Sequence, residues 1–482
     1  MPSSRLTLSF FFRAALWTCL ATGGLGAAGC QDAGPEGNPP PANDTLAQAL
    51  FVAHDGTLNS YDLATGKERP GAVQNIAGPT DLQALADGTL MVNLTNRNEI
   101  LAVNGRTLLE SARLPSSTIG GTRPVHSYIS PPRNGKSYWL SLNDGAGSVA
   151  ATSSARLINL TAGSSYLAPA GEVGLGIGHH KATFSATSER MVISNISDCS
   201  NVITIYDYEN PAAITPVRTL SAQDLGWNGS SRATTCDPTY TNGAPVSPHG
   251  CATSKLSGRA YCNLTSSGGL VSIDVDATPP SFKVIPTGGA GAGYTKAHTS
   301  GRYIFSLQDS PREADPVHPG AKCQIGQLVV IDAMTDSVVK ELPLLYKGPG
   351  CQTSLLGTDE ETTEPSHMLL TNDGKTLFVT AAGGFMVAAA RVRQHLVVDV
   401  SDPSNPVQKP SIPVGVSSGY HGDALSGDGK YLLVANGLDG TVTQIDTASL
   451  QVVRTLTVQA RPSVLATYGT AEGPGEQTGP IP

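Results

Sequence analysis

One unit of about forty residues recurs along this chain, and an internal repeat limits the fold more than any single motif does. The clearest copy is GYHGDALSGDGKYLLVANGLDGTVTQIDTASLQVVRTLTV, residues 419–458. It reads as a strand, an Asp-Gly turn, a strand, a second Asp-Gly turn, a third strand ending in Ile-Asp, a short turn and a fourth strand. That is a four-stranded antiparallel meander with turn signals at short, even spacing. The same grammar returns from Ser366 (SHMLLTNDGKTLFVTAAGG, then HLVVDVSDPSNPVQKPSIPV), from His249 (HGCATSKLSGRAYCNLTSSGGLVSIDV) and from His179 (HHKATFSATSERMVISNISDCSNVITIYDYENPAAITPVRTL). Looser copies begin near Asp81, His126 and Lys296.

The SxDGKYLLVAN core with a following DGTVxxID resembles the YVTN-type propeller repeat, over roughly residues 46–468. The resemblance implies an all-β propeller of four-stranded blades and says little about function. The two ends of the repeat region fit ring closure. LFVAHDGTLNSYDLATGKERPG, from Leu50, supplies later strands of a blade without an opening one, and RPSVLATYG, residues 461–469, supplies an opening strand with nothing after it. Together they make one composite blade that leaves no long free edge. Eight blades are expected, with seven as the alternative if one looser copy is not a blade. The propeller is placed at 46–469 and a disordered tail at 470–482.

Composition agrees with that class. With 53 Gly and 34 Pro, 15% charged and 5% aromatic residues, the chain is unlike a helix bundle or coiled coil. Its 39% hydrophobic content can build a large core, which argues against disorder. Residues 1–29 carry Arg5, an apolar stretch from Leu6 to Leu20 and then ATGGLGAAG, the layout of an export signal. Ala27-Ala28-Gly29-Cys30 resembles a bacterial lipobox, which implies lipidation at Cys30. Ala27 stands where that box most often has Leu, so ordinary signal-peptidase cleavage is the alternative. Residues 30–45 then read as a Pro/Gly-rich tether. No later stretch approaches 18 consecutive apolar residues. The expected location is the bacterial cell envelope, lipid-anchored, facing the periplasm or the cell surface. Without Arg5 and Arg13 the chain has 29 basic and 39 acidic residues, a net charge of −10, which excludes nucleic acid as a natural partner.

Candidate chemistry lies at the start of each opening strand, where the strand nearest the central channel begins. PVHSYIS, GHHKATFS, SPHGCATS, KAHTSGR, PSHMLLTN and GYHGDALS place His126, His180, His249, His298, His367 and His421 there. Ser185, Ser254, Asn372 and Ser426 lie five residues beyond His180, His249, His367 and His421, a shared offset that suggests one register. PTDLQALADG puts Asp81 in that position of another blade, and the composite blade offers only Ser463. Imidazole nitrogens bind zinc or copper near neutral pH, so a subset of three or four converging histidines is a candidate metal site. The competing reading is that a His before Gly is part of how this repeat starts its inner strand. With His54, His179, His318 and His395 in neighbouring loops or strand starts, all ten histidines are expected near one face. The acidic loop Asp359, Glu360, Glu361 and Glu364 is expected there too, as a solvated loop or as a funnel for cations.

Six cysteines remain after Cys19 and Cys30, an even number suited to an oxidising compartment. The expected pairs are Cys199–Cys236, Cys323–Cys351 and Cys251–Cys262, with Cys251 as a thiolate ligand the alternative for the last. SPHGCATS and GYHGDALSGDGKY resemble hub segments of the nitrous-oxide-reductase propeller, a copper protein, and the hub histidines also resemble those of the periplasmic zinc metallochaperone propeller. The first resemblance lacks its cupredoxin domain and the second its His/Asp-rich N-terminal segment. Together they imply a propeller that binds zinc or copper for sequestration or delivery, as a monomer, with a metal-transport receptor or another envelope protein as partner. The alternatives are a metal-independent propeller that docks protein or glycan, and an oxidoreductase or lactonase-like enzyme. No G-x-S-x-G elbow, HExxH helix or nucleotide loop supports the enzyme.

Overall fold

The computed structural model describes residues 46–145, 153–176, 178, 180–196, 200–226, 248–264, 268–288, 294–309, 313–314, 322–323, 326–346, 361–362, 365–381, 394–416, 422–458 and 462–468. They form eight four-stranded antiparallel blades arranged in a ring, an all-β propeller, and the count settles on eight rather than seven. Two short hairpins, Glu313–Ala314 with Lys322–Cys323 and Leu345–Tyr346 with Glu361–Thr362, are added outside the blades. Among the described residues no helix is long and apolar enough to cross a membrane.

Blade 1 is composite. Its innermost strand, Val464–Thr467, comes from the C-terminal end and pairs with Ala49–His54 in the register Leu50↔Thr467 to Ala53↔Val464. Gly56–Asp62 and Glu68–Ile76 complete it. The inner strands of blades 2 to 8 are Pro79–Ala84, Pro124–Ile129, His180–Phe184, Pro248–Thr253, Thr295–Ala297, Pro365–Leu370 and Asp423–Leu425. Inner strands of consecutive blades adjoin one another around most of the ring.

The repeat motif has a local physical cause. In blade 8 the Ser426 hydroxyl donates to Asp428 Oδ1 at 2.6 Å and accepts the Tyr431 N–H at 2.8 Å, while Asp428 Oδ1 also accepts the Lys430 N–H at 3.0 Å. Gly429 sits at φ +70°, where a side chain would be strained. The aspartate that ends the third strand turns the chain into the fourth. Asp446 Oδ1 accepts the Ser449 N–H at 2.8 Å, and Asp62 and Asp332 do the same for Thr65 at 2.7 Å and Met334 at 2.9 Å.

The core is shared between blades rather than held within them. Strand alternation sends Phe51 and Ala53 to a cluster with Leu90, Val92 and Leu101 of blade 2, and Leu50 and Val52 to one with Leu433 and Val442 of blade 8. Equivalent clusters join every other neighbouring pair. Each fully buried side chain of that size contributes on the order of 1.5–3 kcal/mol. The ring therefore stands on eight interfaces, and the composite blade supplies two of them.

Candidate functional site

The polar groups of interest gather where the inner strands begin. In blades 2, 3, 5 and 7 the inner strand opens on a proline: Pro79-Thr80-Asp81, Pro124-Val125-His126, Pro248-His249-Gly250 and Pro365-Ser366-His367. Proline has no N–H to give the ladder and suits a first strand position. A register shift follows it in all four blades, so that Asp81 faces Asn93, His126 faces Leu142 and His367 faces Thr380. Such a bulge re-aims the next side chain. Blade 4 has neither the proline nor the bulge, and Lys181 takes the equivalent place opposite Ser194. In blade 6 the place belongs to Tyr294, whose carbonyl accepts the Leu307 N–H at 2.8 Å. Gly250, Gly422 and Val464 fill it in blades 5, 8 and 1.

This ring corrects the expected histidine register. Counted back from the N–H that closes the first hairpin (Ser130, Ser185, Ser254, Thr371), His126 and His367 stand four residues away and His180 and His249 five. The shared offset failed because Thr371, not Asn372, does the work of Ser426: its hydroxyl donates to Asp373 Oδ1 at 2.6 Å and accepts the Thr376 N–H at 3.0 Å. His298 departs further. Its own N–H closes the hairpin on Tyr303, so it stands at the opposite end of the inner strand, with Nε2 bonded to Gly374 O and Nδ1 to Ser300 Oγ, both at 2.8 Å. Six of the seven described histidines thus lie at one end of the blades and His298 at the other. His179, His318 and His421 lie outside the described residues, as do Asp359, Glu360 and Glu364.

His180 is held by local contacts, although its buried Nδ1 has no hydrogen-bond partner. Its Nε2–H donates to Gly176 O at 3.0 Å, its backbone N–H donates to Asp144 Oδ1 at 3.1 Å, and its Nδ1 lies 3.5 Å from that oxygen. His54 likewise holds Thr57 Oγ1 at 2.7 Å and Asp55 O at 3.0 Å. The remaining groups converge. The Lys181 ammonium donates to His126 Nδ1 at 3.4 Å and lies 4.8 Å from the centre of the Tyr294 ring. His249 and His367 meet Tyr294 edge-on, with ring centres 5.4 and 5.7 Å away. Asp81 Oδ2 accepts both the N–H and the hydroxyl of Ser127 at 2.7 Å, whereas its Oδ1 is buried with no hydrogen-bond partner.

Burial dominates the electrostatics. It pushes the Asp81 carboxyl up to about 6, against the Ser127 hydrogen bonds and the charge of Lys181. It pushes His367 down to about 3, reinforced by the positive charges of Lys296 and Lys181, so this imidazole is neutral at physiological pH. Beside it, His395 Nε2 lies 3.7 Å from Asp423 Oδ2, and Asp423 also takes the Thr380 hydroxyl. Burial lowers His395 and raises Asp423, each drawn partly back by the other.

Three of the central groups were missed in the sequence: Lys181, Tyr294 and Lys296. Cys251 and Cys262 form the expected disulfide across the blade 5 hairpin, which sets aside Cys251 as a thiolate ligand. Cys30, Cys199, Cys236 and Cys351 lie outside the described residues, as does the side chain of Cys323. Among the described residues no three His, Cys, Asp or Glu side chains are set around a point that would hold a metal ion.

No protein-family model matches this chain, and no curated protein sequence matches it. Solved structures do. Dihydro-heme d1 dehydrogenase NirN, in complex with DHE, superposes with a TM-score of 0.57 at 12% identity, covering 90% of this chain and 78% of that one. Apo AztD from Citrobacter koseri gives 0.53 at 13% identity, covering 87% and 96%. The periplasmic gluconolactonase PpgL of Pseudomonas aeruginosa gives 0.52 at 14% identity, covering 86% and 98%. At these identities the likeness is one of fold alone: the chain shares the β-propeller architecture of all three.

Proposed function

We propose that this protein is an exported, lipid-anchored propeller whose hub binds one transition metal ion, zinc or copper, for sequestration or delivery. The observation that carries the reading is the donor set buried at the hub. Asp81, His126 and His367 are each at most 2% exposed, and His249 adjoins them on the more open side. A group that closed favours a bare ion over an organic substrate. The donor chemistry agrees in kind: Asp81 keeps an unpartnered carboxylate oxygen, and burial keeps the His367 imidazole neutral. The residues that would hold the ion are Asp81, His126, His249 and His367. Side chains must turn for three of them to share one ion. The His-rich hub resemblance of the sequence supports this reading, as do the export signal and the lipobox-like Cys30. The expected surroundings are the cell envelope, with a metal-transport receptor or another envelope protein as the recipient.

A second reading is favoured by one observation, the Lys181 ammonium already seated among these groups. In it the hub is structural and the propeller docks a protein or a glycan without metal. Elemental analysis separates the two. The mature chain, purified without a His-tag, is compared with a variant carrying His126→Ala, His249→Ala and His367→Ala. Metal binding predicts about one equivalent of zinc or copper in the parent and none in the folded variant. A parent that carries neither metal, and takes up neither when offered, would overturn it in favour of docking.

A further inference from the structure

We infer that the protein lies against the phospholipid bilayer through the His298 end of its ring, so that the hub opens away from the membrane. This rests on the lipid anchor of the reading above and not on its metal. The described chain enters and leaves the ring at the His298 end. Leu46–Gln48 leads into Ala49, which pairs with Asp62 where the third strand of blade 1 turns into the fourth. There the Leu63 N–H donates to Gln48 O at 2.8 Å. Leu46 is buried beside Gly88 in the first hairpin of blade 2, and the Tyr468 hydroxyl donates to Ala86 O of the same hairpin. The sixteen residues 30–45 join Cys30 to this end and span at most ~55 Å when fully extended. A lipid on Cys30 thus attaches the ring to the bilayer by the end opposite the hub.

The exposed apolar side chains are biased to the same end. Leu109, Leu256, Met334 and Val407 are 50–68% exposed. Leu256 lies in the first hairpin turn of blade 5, between the paired Thr253 and Ala260, and Met334 in the last turn of blade 6, between Asp332 and Ser337. Leu109 and Val407 open the fourth strands of blades 2 and 7, opposite Asn104 and Asp399. All of these turns are at the His298 end. Val217, Val339, Val452 and Val453 follow within the first three residues of their fourth strands, which run from that end, whereas Ile119 lies in a blade connection at the hub end. Apolar residues exposed singly are ordinary, but chance would divide them between the two ends. Arg106, Lys255 and Lys409 lie within three residues of Leu109, Leu256 and Val407, placed to meet headgroup phosphates while the apolar tips enter the chain region. Blades 2 and 6 stand opposite one another in an eight-blade ring, so a flat surface meets both tips at once and a groove-bound peptide does not.

The test uses the full mature chain, prepared from membranes and reconstituted in phosphatidylcholine vesicles whose acyl chains are brominated near the headgroup. Leu109→Trp, Leu256→Trp and Met334→Trp are made one at a time, with Val407→Trp replacing any variant that does not fold and Ile119→Trp as the hub-end control. The parent sets the background from its own tryptophans. Emission from the three tip tryptophans should fall by roughly half, since an interfacial tip reaches ~5–10 Å into the bilayer, and emission from Ile119→Trp should be unchanged. Flotation of the same samples with the vesicles reads the anchor separately. A chain that floats with its tip tryptophans unquenched, or with Ile119→Trp quenched equally, overturns the docking and leaves the anchor standing. A chain that does not float overturns the anchor and this inference together.

Discussion

At the scale of the residue, Asp81 and His367 are held in opposite directions by the same burial. Asp81 ionises near 3.8 in the unfolded chain and near 6 in the fold, so between those values the folded state holds more protons and stability falls as pH rises. His367 ionises near 6.5 unfolded and near 3 folded, so over that window the unfolded state holds more protons and stability rises with pH. Each contribution is on the order of a few kcal/mol, and from about pH 4 to 6 they oppose one another. Urea denaturation of the chelator-treated protein at pH 4, 5 and 6 reads the balance. Asp81→Asn should steepen the rise of stability with pH, and His367→Asn should flatten or invert it. Unchanged slopes in both variants would contradict the burial of these two groups.

Much of this scale was legible in the sequence, and the part that was not has a definite cause. Asp81, His126, His249 and His367 were visible as polar residues before an apolar strand. Lys181 and Tyr294 were not, because which residue faces the hub depends on whether a bulge precedes it. A bulge adds one residue without changing the composition of the segment. The histidine of HHK and the histidine of PSH therefore looked equivalent while standing one place apart.

At the scale of the element, the blade is a chain of turns that fix their own geometry. Ser426, Asp428 and Gly429 close the first hairpin through side-chain hydrogen bonds, and Thr371, Asp373 and Gly374 repeat them in blade 7. These short-range signals are why the strand pattern could be read from sequence. His298 shows the limit. The inner strand of blade 6 is only Thr295–Ala297, too short to align by pattern, and its histidine was placed at the wrong end. Ser426→Ala removes both the acceptor for Tyr431 N–H and the donor to Asp428, and should cost about 1–2 kcal/mol of stability in chemical denaturation. A change within a few tenths of a kcal/mol would show that the turn is held by its backbone alone.

At the scale of the whole molecule, the fold was the most legible feature, because a repeat imposes one answer on every copy and the unmatched ends had to meet. Ring closure is what gives the inner strands a common centre, and it brings polar side chains of six blades, Asp81, His126, Lys181, His249, Tyr294 and His367, toward one another. The function lies a step further, since a propeller is used for many tasks and only the hub chemistry chooses among them. The account therefore stands on the claim that hub imidazoles hold a metal ion. X-ray absorption at the metal edge of the zinc- or copper-loaded mature chain tests it most directly. The account predicts a shell containing two or three imidazole nitrogens, at about 2.0–2.1 Å for zinc, lost when His126, His249 and His367 are replaced by Ala. A shell of oxygen ligands without imidazole scattering, or one unaltered in that variant, would contradict it.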